Sequence, residues 1–354
     1  MRLLHTSDWH LGRTLHRADQ TEAQAAFVDH LVTTVREERV DAVLLAGDVY
    51  DRAVPSLDAV ALCEDAFVRL REAGAAVVVI SGNHDSARRL GFGSRLIDSS
   101  GVYLRTRRST TPVVLGDVPV FALPFLDPPE LVEALQEVAA VAPPHAVVVA
   151  HGWVAGGATS DSERDITVGG LGAVSPSLFD GFAYSALGHL HGPQTIREGL
   201  RYSGSPLAYS FSEARHTKGS WLVETGTTGL GQVSFVPAPV PRRLSTLRGE
   251  LGTLLTDPAL TAHEDDYLSV TLTDAARPED AMARLQARFP HTLVLAFEPE
   301  GAERSEETYA ARVRQRSDTE IAEAFVSHVR GTEPDDAEQA LLAEAFEAVR
   351  ESAA

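Results

Sequence analysis

Five short polar clusters contain residue types that bind metal ions and act on phosphate. Each cluster follows a short apolar run of the kind that forms a buried strand. The clusters are Asp8 with His10, Gly47 with Asp48 and Asp51, Gly82 with Asn83, His84 and Asp85, His151 with Gly152, and Gly188 with His189 and His191. Ligands bind beyond the carboxyl ends of strands in α/β sheets, so five such clusters can converge on one site.

The chemistry of these side chains favours divalent cations. Carboxylate, amide and imidazole groups suit Mn, Fe, Zn or Mg rather than thiolate chemistry. One such histidine alone is more often structural, and one Gly-Asp pair is more often a turn. Their joint occurrence in this order predicts a metal site instead. The predicted metal ligands are Asp8, His10, Asp48, Asn83, His151, His189 and His191.

Apolar runs and helical spacings predict the elements that hold these clusters. The predicted strands are Arg2–His5, Ala42–Ala46, Ala75–Ile80, Val118–Leu123, Ala146–Ala150 and Phe182–Leu187. Apolar residues at helical spacing predict helices over Thr21–Glu38 and Leu57–Ala73. Strands that alternate with helices in this way predict a layered α/β fold.

The character of the chain changes after the prolines at 237, 239 and 241. A strand, a helix and a strand are predicted over Tyr267–Leu272, Pro278–Phe289 and Thr292–Phe297. Two amphipathic helices are predicted within residues 318–350. We therefore expect three parts: a catalytic domain over residues 1–240, a small domain over 241–300, and a linker with C-terminal helices over 301–354.

Composition restricts the class of protein. The 354 residues contain one cysteine, Cys63, so an intrachain disulfide is excluded and a reducing cytoplasm is expected. Cys63 itself is expected in the core. The chain has no apolar run long enough for a membrane span and no N-terminal signal pattern, so no membrane association is expected. The net charge of −19 argues against strong DNA binding by this chain alone, because DNA-binding surfaces are normally basic.

The five clusters in this order resemble the calcineurin-like metallophosphoesterases. The segment from Thr6 to Gly12, the segment from Gly47 to Asp51, and the segments Arg201–Pro206 and Ser210–Glu213 are similar to nuclease subunits of the SbcD and Mre type. The resemblance implies a β-sandwich flanked by helices, with a small α/β capping domain and a C-terminal helical segment. It is strong over residues 1–219 and extends to the remainder in layout only.

The resemblance also implies roles for single residues. Asp8, His10, Asp48 and His191 would hold one divalent ion, most commonly Mn²⁺ in such enzymes, with Asp48 bridging to the second ion. Asn83, His151 and His189 would complete the second site. His84 is expected to contact the scissile phosphate and protonate the leaving oxygen, and Asp85 to orient His84. Less specific expectations place Asp51 behind the site, and give His16 and Arg88 either a position towards DNA or a plain surface role.

Partners and activity follow from the same resemblance. It implies hydrolysis of DNA phosphodiesters, as a 3′–5′ double-strand exonuclease and a single-strand or hairpin endonuclease in DNA end processing, recombination and repair. A homodimer within a heterotetramer with an SbcC-like ATPase is expected. The C-terminal helices would bind that ATPase, and the alternative is that they pack on their own domain. This chain has no Gly-x-x-x-x-Gly-Lys-Ser/Thr loop for ATP. The ATPase and the metals would supply much of the DNA affinity that a chain of net charge −19 lacks.

Two alternatives stay open at the level of sequence. One is a metallophosphoesterase that acts on small phosphodiesters or nucleotides, against which the Thr6–Gly12 segment and the long C-terminal extension argue. The other is a scaffold without activity, against which the complete set of seven ligands and His84 argues.

Overall fold

The computed structural model describes residues 1–167, 172–300, 317–330 and 332–352. The chain forms two compact units, Met1–Leu244 and Ser245–Ala354. Most of the predicted linker, residues 301–316, lies outside the described residues. The division of the second unit into a capping domain and C-terminal helices stays a prediction.

The described residues of the first unit form short strands and five α-helices. Its strands are β1 (Arg2–Thr6), β2 (Thr14–Leu15), β3 (Ala18–Asp19), β4 (Ala42–Leu45), β5 (Ala76–Ile80), β6 (Val102–Arg105), β7 (Val113–Leu115), β8 (Val118–Leu123), β9 (Val147–His151), β10 (Tyr184–Gly188), β11 (Gln194–Arg197), β12 (Leu200–Tyr202), β13 (Gly219–Gly226) and β14 (Gly229–Pro237). Its α-helices are α1 (Thr21–Glu37), α2 (Leu57–Glu72), α3 (Ala87–Leu90), α4 (Ser94–Ile97) and α5 (Pro128–Ala139). The six strands predicted in this region are present as β1, β4, β5, β8, β9 and β10, each within two residues of its predicted bounds.

Two six-stranded sheets organise this unit. The first has the order β14-β13-β1-β4-β5-β6, and the second has the order β11-β12-β10-β9-β8-β7. Strands β1, β4, β5 and β6 are parallel in the first sheet, as are β8, β9, β10 and β12 in the second. The outer strands β13, β14, β11 and β7 pair antiparallel.

The two sheets pack face to face. Leu3 and Leu44 of the first sheet and Val120 and Val149 of the second belong to one buried apolar cluster. A second cluster joins the outer face of the first sheet to α1 and α2, and a third joins the outer face of the second sheet to α5. The predicted mixed α/β fold with a sandwich flanked by helices is therefore confirmed.

Helices α1 and α2 bury different kinds of side chain. In α1, Phe27, Leu31 and Val35 are buried at helical spacing, and each such side chain contributes about 1.5–3 kcal/mol by leaving water. In α2, small residues, Cys63 and Leu70 are buried, and the hydroxyl of Ser56 accepts a hydrogen bond from the Ala59 amide at the N-terminus. The predicted core position of Cys63 is confirmed, since only 2% of this residue is exposed.

A three-stranded sheet of order β15-β16-β17 is formed by Leu244–Gly249, Tyr267–Leu272 and Thr292–Phe297, and all of it except Leu244 belongs to the second unit. Helices α6 (Leu251–Thr256) and α7 (Ala281–Arg288) accompany it, and Leu254, Leu268 and Leu285 belong to its core. Helices α8 (Asp318–Arg330) and α9 (Asp336–Ser352) follow. The strand-helix-strand prediction matches β16, α7 and β17.

Candidate metal centre

The five polar clusters lie at the carboxyl ends of five parallel strands. Asp8 and His10 follow β1, Asp48 follows β4, and Asn83 follows β5 in the first sheet. In the second sheet, His151 ends β9, and His189 and His191 follow β10. The structure thus brings all seven predicted ligands to one edge of the sandwich, where residues from both sheets meet.

The first group of side chains is Asp8, His10 and His191. One ligand atom from each lies within 4.8 Å of the others, and all three residues are buried. The Nε2 atoms of His10 and His191 are 3.1 Å apart, and Nε2 of His10 lies 3.6 Å from Oδ2 of Asp48. The two imidazoles and two carboxylates therefore surround a common point with donor atoms.

The second group is centred on Asn83. Its Oδ1 lies 2.9 Å from Nε2 of His151 and 3.2 Å from Nδ1 of His189. Nε2 of His151 also lies 3.6 Å from Oδ2 of Asp48. The Asp48 carboxylate therefore lies between the two groups, as the predicted bridging ligand requires.

The donor set fits cations, as the hydrogen bonds of His151 show. Its Nδ1 lies 2.8 Å from the Ala46 carbonyl, which can only accept, so Nδ1 carries the proton. In the neutral ring Nε2 then has a lone pair, which points at the oxygens of Asn83 and Asp48. Three hydrogen-bond acceptors that face one another repel, and a bound cation would remove this repulsion. The residues present therefore suit divalent metal ions.

Charge and burial in the centre support the same conclusion. Burial raises the pKa of Asp8 well above its usual value, and the nearby Asp48 charge raises it further. Burial likewise raises the pKa of Asp48. Burial lowers the pKa of His151 to about 4 and that of His189 to about 3, which keeps both imidazoles neutral. Neutral imidazoles can coordinate metal ions, and cations would stabilise the two carboxylates.

The backbone is strained at four of the seven predicted ligands. Asp8, His10, Asp48 and His189 have φ angles of 53°, 46°, 49° and 106°, in or near the left-handed region that side chains rarely adopt. Such conformations cost about 1–3 kcal/mol each and persist where the surroundings enforce them. Hydrogen bonds hold two of these turns: the Asp8 amide donates to the Gly47 carbonyl at 3.0 Å, and the His10 amide donates to the Asp48 carbonyl at 3.0 Å.

His84 lies beside the metal ligands, with only 5% of its surface exposed. Its Nδ1 is 2.8 Å from the Asp51 carbonyl, and its Nε2 is 3.9 Å from Oδ2 of Asp48. Burial lowers the pKa of His84. Because the Asp51 carbonyl can only accept, Nδ1 is the protonated nitrogen of the neutral ring and Nε2 faces the Asp48 side.

The expectation that Asp85 orients His84 is wrong in its detail. The Asp85 carboxylate accepts hydrogen bonds from the backbone amides of Val49, Tyr50 and Gly82, at 3.1, 2.9 and 2.9 Å. These bonds tie the loop after β4 to the loop after β5, so Asp85 shapes both loops. The Asp51 carbonyl contacts the ring of His84 instead.

Of the three residues with less specific expectations, Asp51 lies beside the predicted ligands, whereas His16 and Arg88 lie on the surface. Oδ1 of Asp51 lies 3.8 Å from Nδ1 of His10 and 4.0 Å from Nδ1 of His84, directly behind the centre. His16 and Arg88 are exposed and do not belong to the ligand groups of the described residues. His16 packs its ring 5.5 Å from that of Phe211.

Glu213 and Lys218 contact the site although the sequence did not single out either side chain for a role. They are 0% and 4% exposed, and Nζ of Lys218 donates to Oε2 of Glu213 at 2.5 Å. Burial opposes ionisation of Glu213, but the hydrogen bond with His191 and the charge of Lys218 hold its pKa well below the usual range. The segment Ser210–Glu213 was conspicuous only as part of the family resemblance.

Comparison with known proteins agrees with this geometry. A family model described as calcineurin-like phosphoesterase matches residues 1–193. A second model, named SbcD_C and described as type 5 capsule protein repressor C-terminal domain, matches residues 240–330. The chain therefore belongs to the calcineurin-like phosphoesterase family and has the site of a metal-dependent phosphoesterase. The two matched domains together fit an SbcD-type nuclease subunit, which confirms the resemblance found in the sequence.

Two solved structures are more distant. GAP50, the anchor in the inner membrane complex of Plasmodium, is 13% identical over 86% of this chain and 99% of its own, with a TM-score of 0.39. Another solved chain is 12% identical over 67% of this chain and 99% of its own, with a TM-score of 0.41. Both scores are too low to bear on function.

Within the described ranges, the helices are all too short or too polar to span a lipid bilayer.

Proposed function

We propose that this protein is the nuclease subunit of an SbcCD-type complex. It hydrolyses DNA phosphodiester bonds with two divalent metal ions, for which we propose Mn²⁺. The observation that carries the proposal is the convergence of seven ligand side chains from two sheets around Asp48. Asp8, His10, Asp48 and His191 would hold one ion, and Asp48, Asn83, His151 and His189 the other. When bound, such ions activate water and neutralise charge on phosphate oxygens.

The residues of the chain have separate tasks in this proposal. His151 and His189 are kept neutral by burial and are held with a nitrogen towards Asn83. His84 contacts the scissile phosphate and donates a proton from Nε2 to the leaving 3′ oxygen after protonation of the ring. Such general acid catalysis is commonly worth about 10²–10⁴-fold in rate. Asp85 holds the two loops that carry Asp48 and His84.

DNA as the substrate is supported by the match of residues 240–330 to the SbcD C-terminal model. We propose that the activities are 3′–5′ exonuclease on duplex ends and endonuclease on hairpins and single strands, in cytoplasmic DNA repair and recombination. With a net charge of −19, the isolated subunit should bind duplex DNA weakly. An SbcC-like ATPase would supply the missing affinity through contacts with α8 and α9.

A homodimer is part of the same proposal, and several exposed apolar side chains support it. Leu57 at the start of α2 is 87% exposed, and Phe92 and Leu96 near α4 are 87% and 82% exposed. Burying large apolar side chains of this kind is typical of homodimer interfaces. We propose that a second copy of the chain covers them within a heterotetramer with the ATPase.

The test is a nuclease assay on blunt duplex and hairpin DNA, with and without the partner ATPase, under Mn²⁺ and Mg²⁺. Metal-dependent cleavage that EDTA abolishes is expected, together with loss of cleavage in Asp8→Ala and His10→Ala. Asp117→Ala, which changes an exposed carboxylate in the turn between β7 and β8, is the matched control. Hydrolysis of nucleotide diesters without DNA cleavage would instead support the alternative of a small-substrate phosphoesterase.

A further inference from the structure

The buried pair Glu213 and Lys218 contacts His191 from two sides. Oε1 of Glu213 lies 3.3 Å from Nδ1 of the His191 ring, and Nζ of Lys218 donates to the His191 carbonyl at 2.8 Å. Nζ of Lys218 also donates to Oγ of Ser205 at 2.9 Å. One charged residue therefore holds the ring of His191, and its partner holds the backbone of the same residue.

Ser162 adds a second path between Glu213 and the ring. Its Oγ lies 2.5 Å from Nδ1 of His191 and donates to Oε1 of Glu213. An ionised carboxylate can only accept, so the hydroxyl proton points to Glu213 and the hydroxyl oxygen faces Nδ1. The proton of the neutral ring is thereby placed on Nδ1. Nε2, which faces His10 at 3.1 Å, keeps its lone pair for a metal.

The loop that carries Ser162 is tied to His191 at a further point. Oε1 of Glu163 accepts a hydrogen bond from the His191 amide at 2.7 Å, and Oε2 of Glu163 accepts one from the Ser160 amide at 2.6 Å. The ring, the amide and the carbonyl of His191 thus each have a partner. Among the ligand histidines of the described residues, His151 has a simpler support, the Ala46 carbonyl at 2.8 Å.

We propose that Glu213 and Lys218 are positioning residues that fix the tautomer and place of His191 for the metal also held by Asp8, His10 and Asp48. The inference rests on the two-metal function proposed above and goes beyond it by assigning two residues to one of the two sites. Carboxylates that orient a ligand histidine commonly contribute about 10- to 100-fold in metal affinity.

A purely structural ion pair is the competing explanation, and a double variant separates the two. Glu213→Gln alone leaves Lys218 charged and buried without its partner, which destabilises the fold. Glu213→Gln combined with Lys218→Met removes both charges, so the stability of metal-free protein should return towards that of the wild type. The positioning role predicts that weak metal binding persists in this double variant.

The experiment is titration calorimetry with Mn²⁺, together with thermal unfolding in EDTA. Wild-type protein should bind two ions. The double variant should unfold near the wild-type temperature, bind one ion about 10- to 100-fold more weakly, and bind the other within about twofold. Ser162→Ala removes only a hydroxyl and no charge. It should weaken the binding of the same ion, but by less than the double variant does. Asp98→Asn, which breaks the remote ion pair with Arg105, is the control and should leave both steps unchanged.

Wild-type affinity at both sites in the folded double variant and in Ser162→Ala would overturn the positioning role. If the double variant does not fold, the result for Ser162→Ala decides alone. Wild-type protein that binds fewer than two Mn²⁺ ions would instead overturn the proposed two-metal function, so the two failures are distinguishable.

Discussion

The substitution Gly82→Ala tests the proposed bridging role of Asp48. A Cβ at position 82 would lie 2.1 Å from Oδ1 and 2.3 Å from the backbone nitrogen of Asp48, whereas ordinary contacts begin at 3.4 Å. The loop that carries Asp48 must therefore shift, and Oδ1 must move by 1.3 Å, the difference between 3.4 and 2.1 Å. The shift would also break the hydrogen bond from the His84 amide to Oδ1 of Asp48, now 2.8 Å long. Since 1 Å of misplacement can cost about 100-fold in rate, Gly82→Ala should lower kcat by about 100-fold or more.

The assay is Mn²⁺-dependent hydrolysis of bis-p-nitrophenyl phosphate, with circular dichroism to show that the variant is folded. Gly226→Ala is the matched control, because a Cβ there meets nothing within 4 Å and the backbone is not left-handed. The control should keep wild-type activity. A folded Gly82→Ala protein with activity within about threefold of wild type would refute the placement of Asp48 at the centre of the reaction.

Further predictions concern single residues of the site and the surface. His84→Ala should lower kcat by about 10²–10⁴-fold while calorimetry still shows two bound Mn²⁺ ions, and loss of either ion would argue for a ligand role. Asp8→Ala should weaken Mn²⁺ binding and abolish nuclease activity, with the fold retained by circular dichroism; unfolding would indicate a structural role. Leu57→Glu with Phe92→Glu should give a monomer in sedimentation, and an unchanged sedimentation coefficient would contradict the dimer surface. Burial lowers the pKa of His5 to about 3, so below pH 6.5 the unfolded state binds a proton that the folded state excludes, and stability falls. In urea unfolding of metal-free protein, His5→Gln should reduce that loss by about 1.4 kcal/mol per pH unit between pH 6.5 and 4.5, and an equal slope would disprove it.

The central strands were predictable because both of their faces are buried. Continuous apolar runs such as Val77–Ile80 allow few other interpretations, and the polar residues that follow them mark the strand ends. Short edge strands such as β6 and β7 were not predicted, since three or four residues carry little periodicity. Helix α2 was predicted from apolar residues at helical spacing, but two of these, Val60 and Val68, are 41% and 50% exposed. The buried residues of α2 are Ala59, Cys63, Ala66 and Leu70, so its buried face is made mostly of small side chains.

The ligand set was easier to predict than the residues that support it. Metal ligands are restricted in type and follow strand ends, so their positions are visible in the sequence. Asp85 lies next to His84 in the chain, and that proximity suggested a contact, but the tight turn directs its carboxylate to three backbone amides. Glu213 is 22 residues from His191, and only the fold brings the two together.

The placement of the ligands on two sheets has a consequence for folding. Asp8 and Asp48 follow strands of one sheet, whereas His151 and His191 belong to the other, so metal ions bound among them would crosslink the layers. An ion that binds only the native state adds about 2.7 kcal/mol of stability at a hundredfold excess over its Kd. Neither sheet alone holds a complete site. Metal ions should therefore stabilise the assembled sandwich selectively over any intermediate with one layer formed, and make its unfolding more cooperative.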